Sequence, residues 1–248
     1  MSYTRRISAT DAVDAGYPGY QVEMVASPES ATVLAGFLGT GGHPPLHTHE
    51  EDLFFVVLEG STTLRLGHDS HQAKAGEVIY VPAGLPHGSD NQSGAAELHL
   101  EILIPGVPPG RPFLKPVGNL DEVQMPATAP HVARTSGPAT ETTGHETRIK
   151  LTGESTGGRT AQLTAVERTG PEGPATAASR DDDRLIVVTE GELTAEIAAR
   201  PTAIPAQAVV VIPAGVPHRI WNSSTTPVRY LDADVPAPKA YTKLAAAR

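Results

Sequence analysis

The sequence predicts an all-β protein made of two similar barrels in tandem, with little helix. The 248 residues include 24 glycines and 23 prolines, which is typical of many short strands joined by tight turns. Short apolar runs at 53–58 and 77–81 end at a charged residue, glycine or proline, as buried strands do. Few stretches carry a 3.6-residue period, so short helices are expected only at 10–15 and 242–248.

An internal repeat predicts that the strands form two units. Pro-Ala-Gly-Leu-Pro-His at 82–87 recurs as Pro-Ala-Gly-Val-Pro-His at 213–218, and Gly60 recurs as Gly191, each with an offset of 131. A shared offset across several positions indicates a duplicated unit rather than chance. The predicted organisation is an amino-terminal barrel over 1–117, a proline-rich linker over 118–130 and a carboxy-terminal barrel over 131–248.

Three histidines in the first repeat are candidate metal ligands. His47 and His49 are separated by one residue, which places both rings on the same face of a strand. His87 follows the turn Pro-Ala-Gly at 82–84, which is expected to direct it back into the barrel. Neutral imidazole suits iron, copper, nickel and zinc, so these residues predict a divalent metal site.

The spacing around these histidines carries a family resemblance. The chain reads G-x5-H-x-H-x3-L-x6-G over 41–60 and G-x5-P-x-G-x2-H-x3-N over 76–91. Together these segments closely resemble the two motifs of the cupin superfamily, small antiparallel β-barrels that bind a metal between their sheets. The resemblance implies a bicupin fold, with His47, His49 and His87 as metal ligands.

The first motif departs from the family at one ligand position. The family's glutamate falls on Leu53, which cannot coordinate a metal. In a regular strand, the alternation that points His47 and His49 inward also points Glu51 inward, so Glu51 is left open as a replacement. The main prediction is a site of three histidines, which resembles the sites of some cupin dioxygenases.

The second repeat lacks most of these ligands. With the offset of 131, the paired histidines become Ala178 and Arg180, Leu53 becomes Arg184, and only His218 is retained. A single imidazole is a poor metal site. We therefore expect the carboxy-terminal barrel to be degenerate and free of metal.

The strand predicted at 97–104 and the run at 53–58 supply candidate pocket residues. The first alternates polar and apolar residues, so either its polar face lies in water, or His99 and Glu101 point towards the metal. In the second case Glu101 could act as a catalytic general base. Leu53, Phe55 and His99 are predicted to line the pocket, with the first two forming a dry wall.

Composition restricts the compartment and the partners. The formal charge is −9 and the pI is near 5.5, which argues against nucleic acid as a partner. The chain has no cysteine, so neither disulfides nor thiolate ligands are available. Neither a signal peptide nor an apolar span is visible, so a cytoplasmic protein without membrane contact is expected. A homodimer is left open.

The function that the resemblance implies is that of a metal-dependent enzyme. The leading hypothesis is a non-haem dioxygenase similar to quercetinase-type cupins, acting on an enol or phenol substrate. It would use one divalent metal ion per chain, with Fe(II) favoured and Ni, Mn, Co and Zn as alternatives. Two other hypotheses are a metal-dependent isomerase, cyclase or lyase that uses no oxygen, and a non-enzymatic bicupin that binds a small molecule.

Overall fold

The chain folds into two β units, each with a larger and a smaller antiparallel sheet. The structure is a computed structural model, and it describes residues 3–151 and 161–236. Within these ranges the one helix is a 3-10 turn at Leu120–Glu122, and no helix is long and apolar enough to span a bilayer. The all-β prediction is confirmed.

The amino-terminal unit spans residues 8–134, and both of its sheets contribute to one hydrophobic core. In spatial order, the larger sheet consists of β13 (His131–Arg134), β9 (Glu77–Val81), β6 (Asp52–Glu59), β11 (Glu97–Ile104), β4 (Thr32–Leu38), β3 (Tyr20–Ala26) and β2 (Val13–Tyr17). The smaller sheet consists of β12 (Lys115–Pro116), β5 (His47–Thr48), β10 (His87–Asp90), β7 (Ser61–Leu66) and β8 (Asp69–Lys74).

The carboxy-terminal unit comprises, among the described residues, 3–7, 135–151 and 161–236. Its larger sheet consists of β1 (Thr4–Arg6), β20 (Ala208–Ile212), β17 (Asp183–Glu190), β22 (Val228–Val235), β16 (Gln162–Arg168), β15 (Glu146–Lys150) and β14 (Glu141–Thr143). Its smaller sheet consists of β19 (Arg200–Pro205), β18 (Glu192–Ile197) and β21 (His218–Trp221).

The repeat predicted from the sequence extends to individual hydrogen bonds. Strands β17, β18, β19, β20 and β22 begin and end 131 residues after β6, β7, β8, β9 and β11. The Asp52 carboxylate accepts a hydrogen bond of 2.8 Å from the backbone N–H of Ala83, and Asp183 accepts the equivalent bond of 2.8 Å from Ala214. The same side chain thus holds the same turn in both units.

The unit boundaries differ from those predicted. Residues 4–6 pair with β20 of the carboxy-terminal unit, and residues 131–134 pair with β9 of the amino-terminal unit. Residues 118–130 accordingly belong to the amino-terminal unit. Strands β9 and β20 each present an open edge of backbone donors and acceptors, which an extended segment can satisfy. Backbone pairing of this kind does not depend on residue type, so the unit boundaries could not be predicted from composition.

The helix predicted at 10–15 is not formed. Residues from Val13 onwards belong to β2, which pairs with β3 in a hairpin. Cross-strand pairing outweighs the weak helical preference of a six-residue segment, because so short a helix gains little from its own hydrogen bonds. The helix predicted at 242–248 lies outside the described residues.

A buried ion pair occupies the interior of the carboxy-terminal unit. At the positions of Leu53 and Glu101 this unit has Arg184 and Asp232. The Arg184 guanidinium donates two hydrogen bonds of 2.8 Å to the two Asp232 oxygens, and both side chains are buried. Burial disfavours the charged carboxylate, but Arg184 outweighs it and keeps the pKa of Asp232 below its usual value.

We expect the substitution Asp232→Asn to destabilise the carboxy-terminal unit by about 3–5 kcal/mol, because Arg184 would be left buried without its counter-charge. Chemical denaturation monitored by the fluorescence of Trp221 measures this loss. Since the pKa of Asp232 is lowered in the folded state, its stabilisation is complete above about pH 4 and is lost as the pH falls further. The exposed substitution Glu190→Gln is the control, and an equal loss in both variants would contradict this account.

Candidate metal centre

Three imidazoles converge inside the amino-terminal unit. His47 in β5 lies directly opposite His87 in β10, and His49 follows immediately after β5. All three side chains are buried, and their ring centroids lie 4.5–5.0 Å apart. One ring nitrogen from each residue lies within 4.8 Å of the other two. The structure therefore brings together the three histidines that the sequence singled out.

Backbone carbonyls determine which nitrogen of each ring is available. Nδ1 of His47 lies 2.9 Å from the carbonyl oxygen of Pro45, Nδ1 of His87 lies 2.9 Å from that of Leu85, and Nδ1 of His49 lies 2.5 Å from that of Phe113. A carbonyl oxygen can only accept, so each Nδ1 carries the proton and each Nε2 carries a lone pair.

The Nε2 atoms fit a metal ion. Those of His49 and His87 are buried and have no hydrogen-bond partner among the described residues. Burial lowers the pKa of both residues, and the neighbouring imidazoles lower that of His87 further. A neutral imidazole whose other nitrogen donates to a carbonyl is the form that binds a borderline divalent metal. The donor set and its unpartnered nitrogens therefore match such an ion.

Glu51 does not join this cluster. Residues 50–51 form a bend before β6 begins at Asp52, so the strand alternation that would turn Glu51 inward is interrupted. Its buried carboxylate instead forms an ion pair with Arg111. The carboxylate that the sequence left open as a replacement ligand thus holds a neighbouring segment.

The imidazoles open onto a cavity of about 450 Å³ with mostly apolar walls. Phe55, a predicted pocket residue, lines it, and so does Glu101, whose orientation the sequence left open. Leu53 was also predicted to line the pocket, but it packs in the hydrophobic core and is not among the lining residues. The other lining residues are Val13, Ala15, Tyr17, Tyr20, Val22, Met24, Leu34, Pro44, Leu64, Gly88, Ser89, Pro112, Phe113 and Leu114.

His99 lies behind the cavity wall rather than on it. It was predicted to line the pocket, but it is fully buried and stacks on Phe55, with 4.2 Å between the ring centroids, and only Phe55 of this pair lines the cavity. The polar face of β11 does not lie in water, because Glu97, His99 and Glu101 are all buried. Both faces of this strand are buried, which alternation alone could not show.

A hydrogen-bonded network runs along this polar face. Nδ1 of His99 donates to Oε2 of Glu97 at 2.8 Å, and Nε2 lies 3.3 Å from the Tyr20 hydroxyl and 3.7 Å from Oε1 of Glu101. The Tyr20 hydroxyl also donates to Oε1 of Glu101 at 3.4 Å. The network thus joins Glu97, deep in the unit, to Glu101 at the cavity.

The network favours an imidazolium between two carboxylates. Burial alone would lower the pKa of His99, but Glu97 and Glu101 outweigh it and raise the pKa to about 9. Burial also disfavours the charged form of Glu101, yet the hydrogen bond with His99 outweighs it and keeps the pKa of Glu101 below its usual value. Glu101 is therefore an ionised carboxylate at neutral pH.

Gly36 makes room for this network on the adjacent strand β4. It pairs with His99 in the sheet, and a Cβ at this position would lie 2.2 Å from Nε2 of His99 and 2.8 Å from the Tyr20 hydroxyl. A residue with a side chain would displace the His99 ring. Neither Gly36 nor Tyr20 stood out in the sequence, since their roles depend on pairing between distant strands.

A strap formed by residues 111–117 covers one side of the site. Arg111 donates to Glu50 at 2.7 Å and pairs with Glu51, while Lys115 and Pro116 pair with β5. The Phe113 carbonyl accepts the Nδ1 proton of His49, and its ring lines the cavity. The sequence does not reveal this contact between the strap and His49, because it joins residues 64 positions apart.

The positions equivalent to the three histidines carry different residues in the carboxy-terminal unit. Ala178 lies opposite His218 as His47 lies opposite His87, and Arg180 stands at the position of His49. Nδ1 of His218 donates to the Val216 carbonyl at 2.9 Å, which repeats the bond of His87. Among the described residues of this unit, no group of three His, Asp or Glu side chains is arranged to hold a metal ion.

Comparisons with known proteins agree with this architecture. Solved structures with a similar fold include vicilin from Corylus avellana (hazelnut), with 14% identity, a TM-score of 0.67 and coverage of 95% of this chain and 86% of the other. Oxalate decarboxylase from Bacillus subtilis, whose structure has Mn(II) centres, shows 15% identity, a TM-score of 0.68 and coverage of 93% and 77%. A protein from Pseudomonas aeruginosa described as glyoxylate induced shows 17% identity and a TM-score of 0.71, and the match covers 91% of this chain and 83% of the other.

At these identities, the similarity to solved structures shows the fold alone. No curated protein sequence matches the chain. The Cupin domain family matches residues 37–104 and 166–234, which together make up more than half of the chain and correspond to its two repeats. The chain therefore belongs to the cupin family and carries two cupin domains.

Proposed function

We propose that this protein is a metal-dependent enzyme of the non-haem dioxygenase type, acting on a largely apolar enol or phenol. The observation that carries the proposal is the convergence of three buried imidazoles whose Nδ1 protons are bound to carbonyls. His47, His49 and His87 would hold one divalent ion through Nε2. Bound by three protein ligands, Fe(II) would keep open positions for substrate and dioxygen, and it is the ion we favour.

The cavity walls support the substrate class. Its lining is dominated by aliphatic and aromatic residues, and no lysine or arginine is among the described residues that form it. The large apolar side chains that remain exposed in the described parts of the chain, Val13, Met24 and Phe113, all border this same cavity. An exposed apolar rim of this kind marks a binding site for an apolar molecule.

The residues of the chain would position a bound substrate, limit its contact with water and accept its proton. Phe55 and Phe113 give the cavity apolar walls, which limit the access of water to a bound substrate. Glu101, ionised and exposed to the cavity, would accept the hydroxyl proton of the substrate: the O–H bond breaks, a bond forms to the carboxylate, and the electron pair stays on the substrate oxygen.

Metal content tests the site. Wild-type protein purified without oxygen and dialysed against Fe(II) or Zn(II) is expected to bind about one ion per chain. His47→Ala and His49→Ala should each fall below about a tenth of that value, because two ligands hold such an ion poorly. The matched control is His218→Ala, the equivalent of His87 in the other unit, which should retain the wild-type content. Metal loss in His218→Ala alone would show that the active unit has been assigned wrongly.

Oxygen consumption tests the reaction. Fe(II)-loaded protein is expected to consume dioxygen in proportion to an added enol or phenol, and Glu101→Gln should slow this by about 100-fold or more, since general-base catalysis contributes about 10²–10⁴. An oxygen electrode together with mass spectrometry of the product under ¹⁸O₂ measures both. Turnover of the substrate without oxygen uptake would instead identify a metal-dependent isomerase, cyclase or lyase, and binding without turnover would identify a non-enzymatic bicupin.

A further inference from the structure

The cavity wall carries a carboxylate that no lysine or arginine accompanies within the described lining. Glu101 is nine-tenths buried, yet it reaches the cavity. Its hydrogen-bond and ion-pair partners are Tyr20 and His99. Because burial of an ionised group is costly unless it is well supported, the side chains behind Glu101 determine whether that charge can remain at the wall.

The support behind Glu101 leaves its negative charge uncompensated. His99 is positively charged at neutral pH, but it donates its Nδ1 proton to Glu97, whose side chain is also fully buried. Two carboxylates and one imidazolium leave a net charge of −1 in this network. Glu101 is the charged residue of this network that faces the cavity, since Glu97 and His99 lie outside the cavity lining.

The network is also closely packed. The His99 ring stacks on Phe55 and on Tyr20, with centroid distances of 4.2 Å and 5.9 Å, next to the space that Gly36 leaves open. The Tyr20 hydroxyl contacts both His99 and Glu101. Glu101 is therefore held at one place on the wall, where it acts on the ligand by its charge and its lone pairs.

The carboxy-terminal unit provides an internal comparison. At the positions of Glu97 and His99 it has Val228 and Tyr230, and the register of its strands places Glu146 at the position of Tyr20. Its own carboxylate, Asp232, is neutralised by Arg184. The uncompensated carboxylate thus occurs in the unit that carries the three imidazoles, and the equivalent carboxylate of the other unit is paired.

From this arrangement we infer that Glu101 is a specificity-determining residue: it favours a neutral ligand that donates a hydroxyl hydrogen bond and disfavours a carboxylate ligand. Tyr20, His99 and Glu97 act as positioning residues that hold Glu101 in place. A ligand carboxylate would bring a second anion beside Glu101 that no lysine or arginine of the described lining offsets, whereas a phenol or enol offers the proton that Glu101 accepts. The charge of an ion held by the three histidines is the same in wild type and in variants of Glu101, so it cancels from their comparison. The inference rests on the proposed function for the place of the ligand, and it requires no turnover.

The experiment compares two probes that differ in charge but share their ring system. The affinities of 2-naphthol and 2-naphthoate for the full-length protein are measured by isothermal titration calorimetry at pH 7, both with Zn(II) and without metal. The quantity of interest is the selectivity ratio, the Kd of 2-naphthoate divided by that of 2-naphthol. Zn(II) has no redox chemistry, so binding is separated from oxygen activation.

The substitution Glu101→Gln removes the charge and keeps the shape of the side chain. It is expected to lower the selectivity ratio about tenfold, chiefly by strengthening the binding of 2-naphthoate. Tyr20→Phe removes one hydrogen bond to Glu101 and is expected to lower the ratio about threefold at unchanged Zn(II) content. The latter variant also serves if Glu101→Gln does not fold. Glu190→Gln, which removes an exposed carboxylate in the other unit, should leave the ratio at the wild-type value.

The outcomes separate this inference from the proposed function. An unchanged ratio in Glu101→Gln and Tyr20→Phe, or the binding of neither probe, would overturn the role of Glu101. Failure of wild-type protein to bind Zn(II) would refute the metal centre, while the ratio measured without metal would still decide the inference. A lower ratio at wild-type Zn(II) content supports it, because a residue that only stabilised the fold would weaken both probes equally.

Discussion

Each of the three buried imidazoles donates its Nδ1 proton to a backbone carbonyl, and the chemistry of the site depends on these bonds. The acceptors are Pro45, Leu85 and Phe113, one in each of three separate segments. A side chain could change its rotamer or its protonation, but a carbonyl of a paired or tightly turned backbone does neither. The lone pairs of the Nε2 atoms are thereby directed to the interior before any ligand arrives, which is the preorganisation that a metal site requires.

The two units have similar strand arrangements, but they differ in how the polar and charged side chains at equivalent interior positions are paired. In the amino-terminal unit, the three imidazoles lie near a carboxylate whose charge is supported but not cancelled by the imidazolium of His99. In the carboxy-terminal unit, Arg184 neutralises Asp232 directly, at the positions of Leu53 and Glu101. Because Arg184 supplies the positive charge, Asp232 needs no bound cation to neutralise it. The absence of the paired histidines and the presence of Arg184 thus give the interior of this unit different electrostatics.

The wall of the cavity comes from parts of the chain that are distant in sequence. The hairpin of β2 and β3 supplies Tyr20 and the exposed Val13, and the strap of 111–117 supplies Phe113. Because the strap also accepts the proton of His49 and is held by Arg111 against Glu51, the cavity wall and the three histidines form one structural unit. A change in the strap would thus affect the ligand orientation as well as the cavity shape.

Local patterns in the sequence determined the all-β class, the duplication at an offset of 131 and the three histidines, because strand alternation, turn residues and repeat spacing act over a few residues. Only the tertiary structure decided which side chains surround them. It placed Leu53 in the core, His99 behind Phe55 and Glu51 against Arg111. Pairing of β3, β4 and β11 also brought Tyr20 and Gly36 next to His99. Such pairings join residues many positions apart, and they are set by the packing of whole sheets rather than by any pattern along the chain.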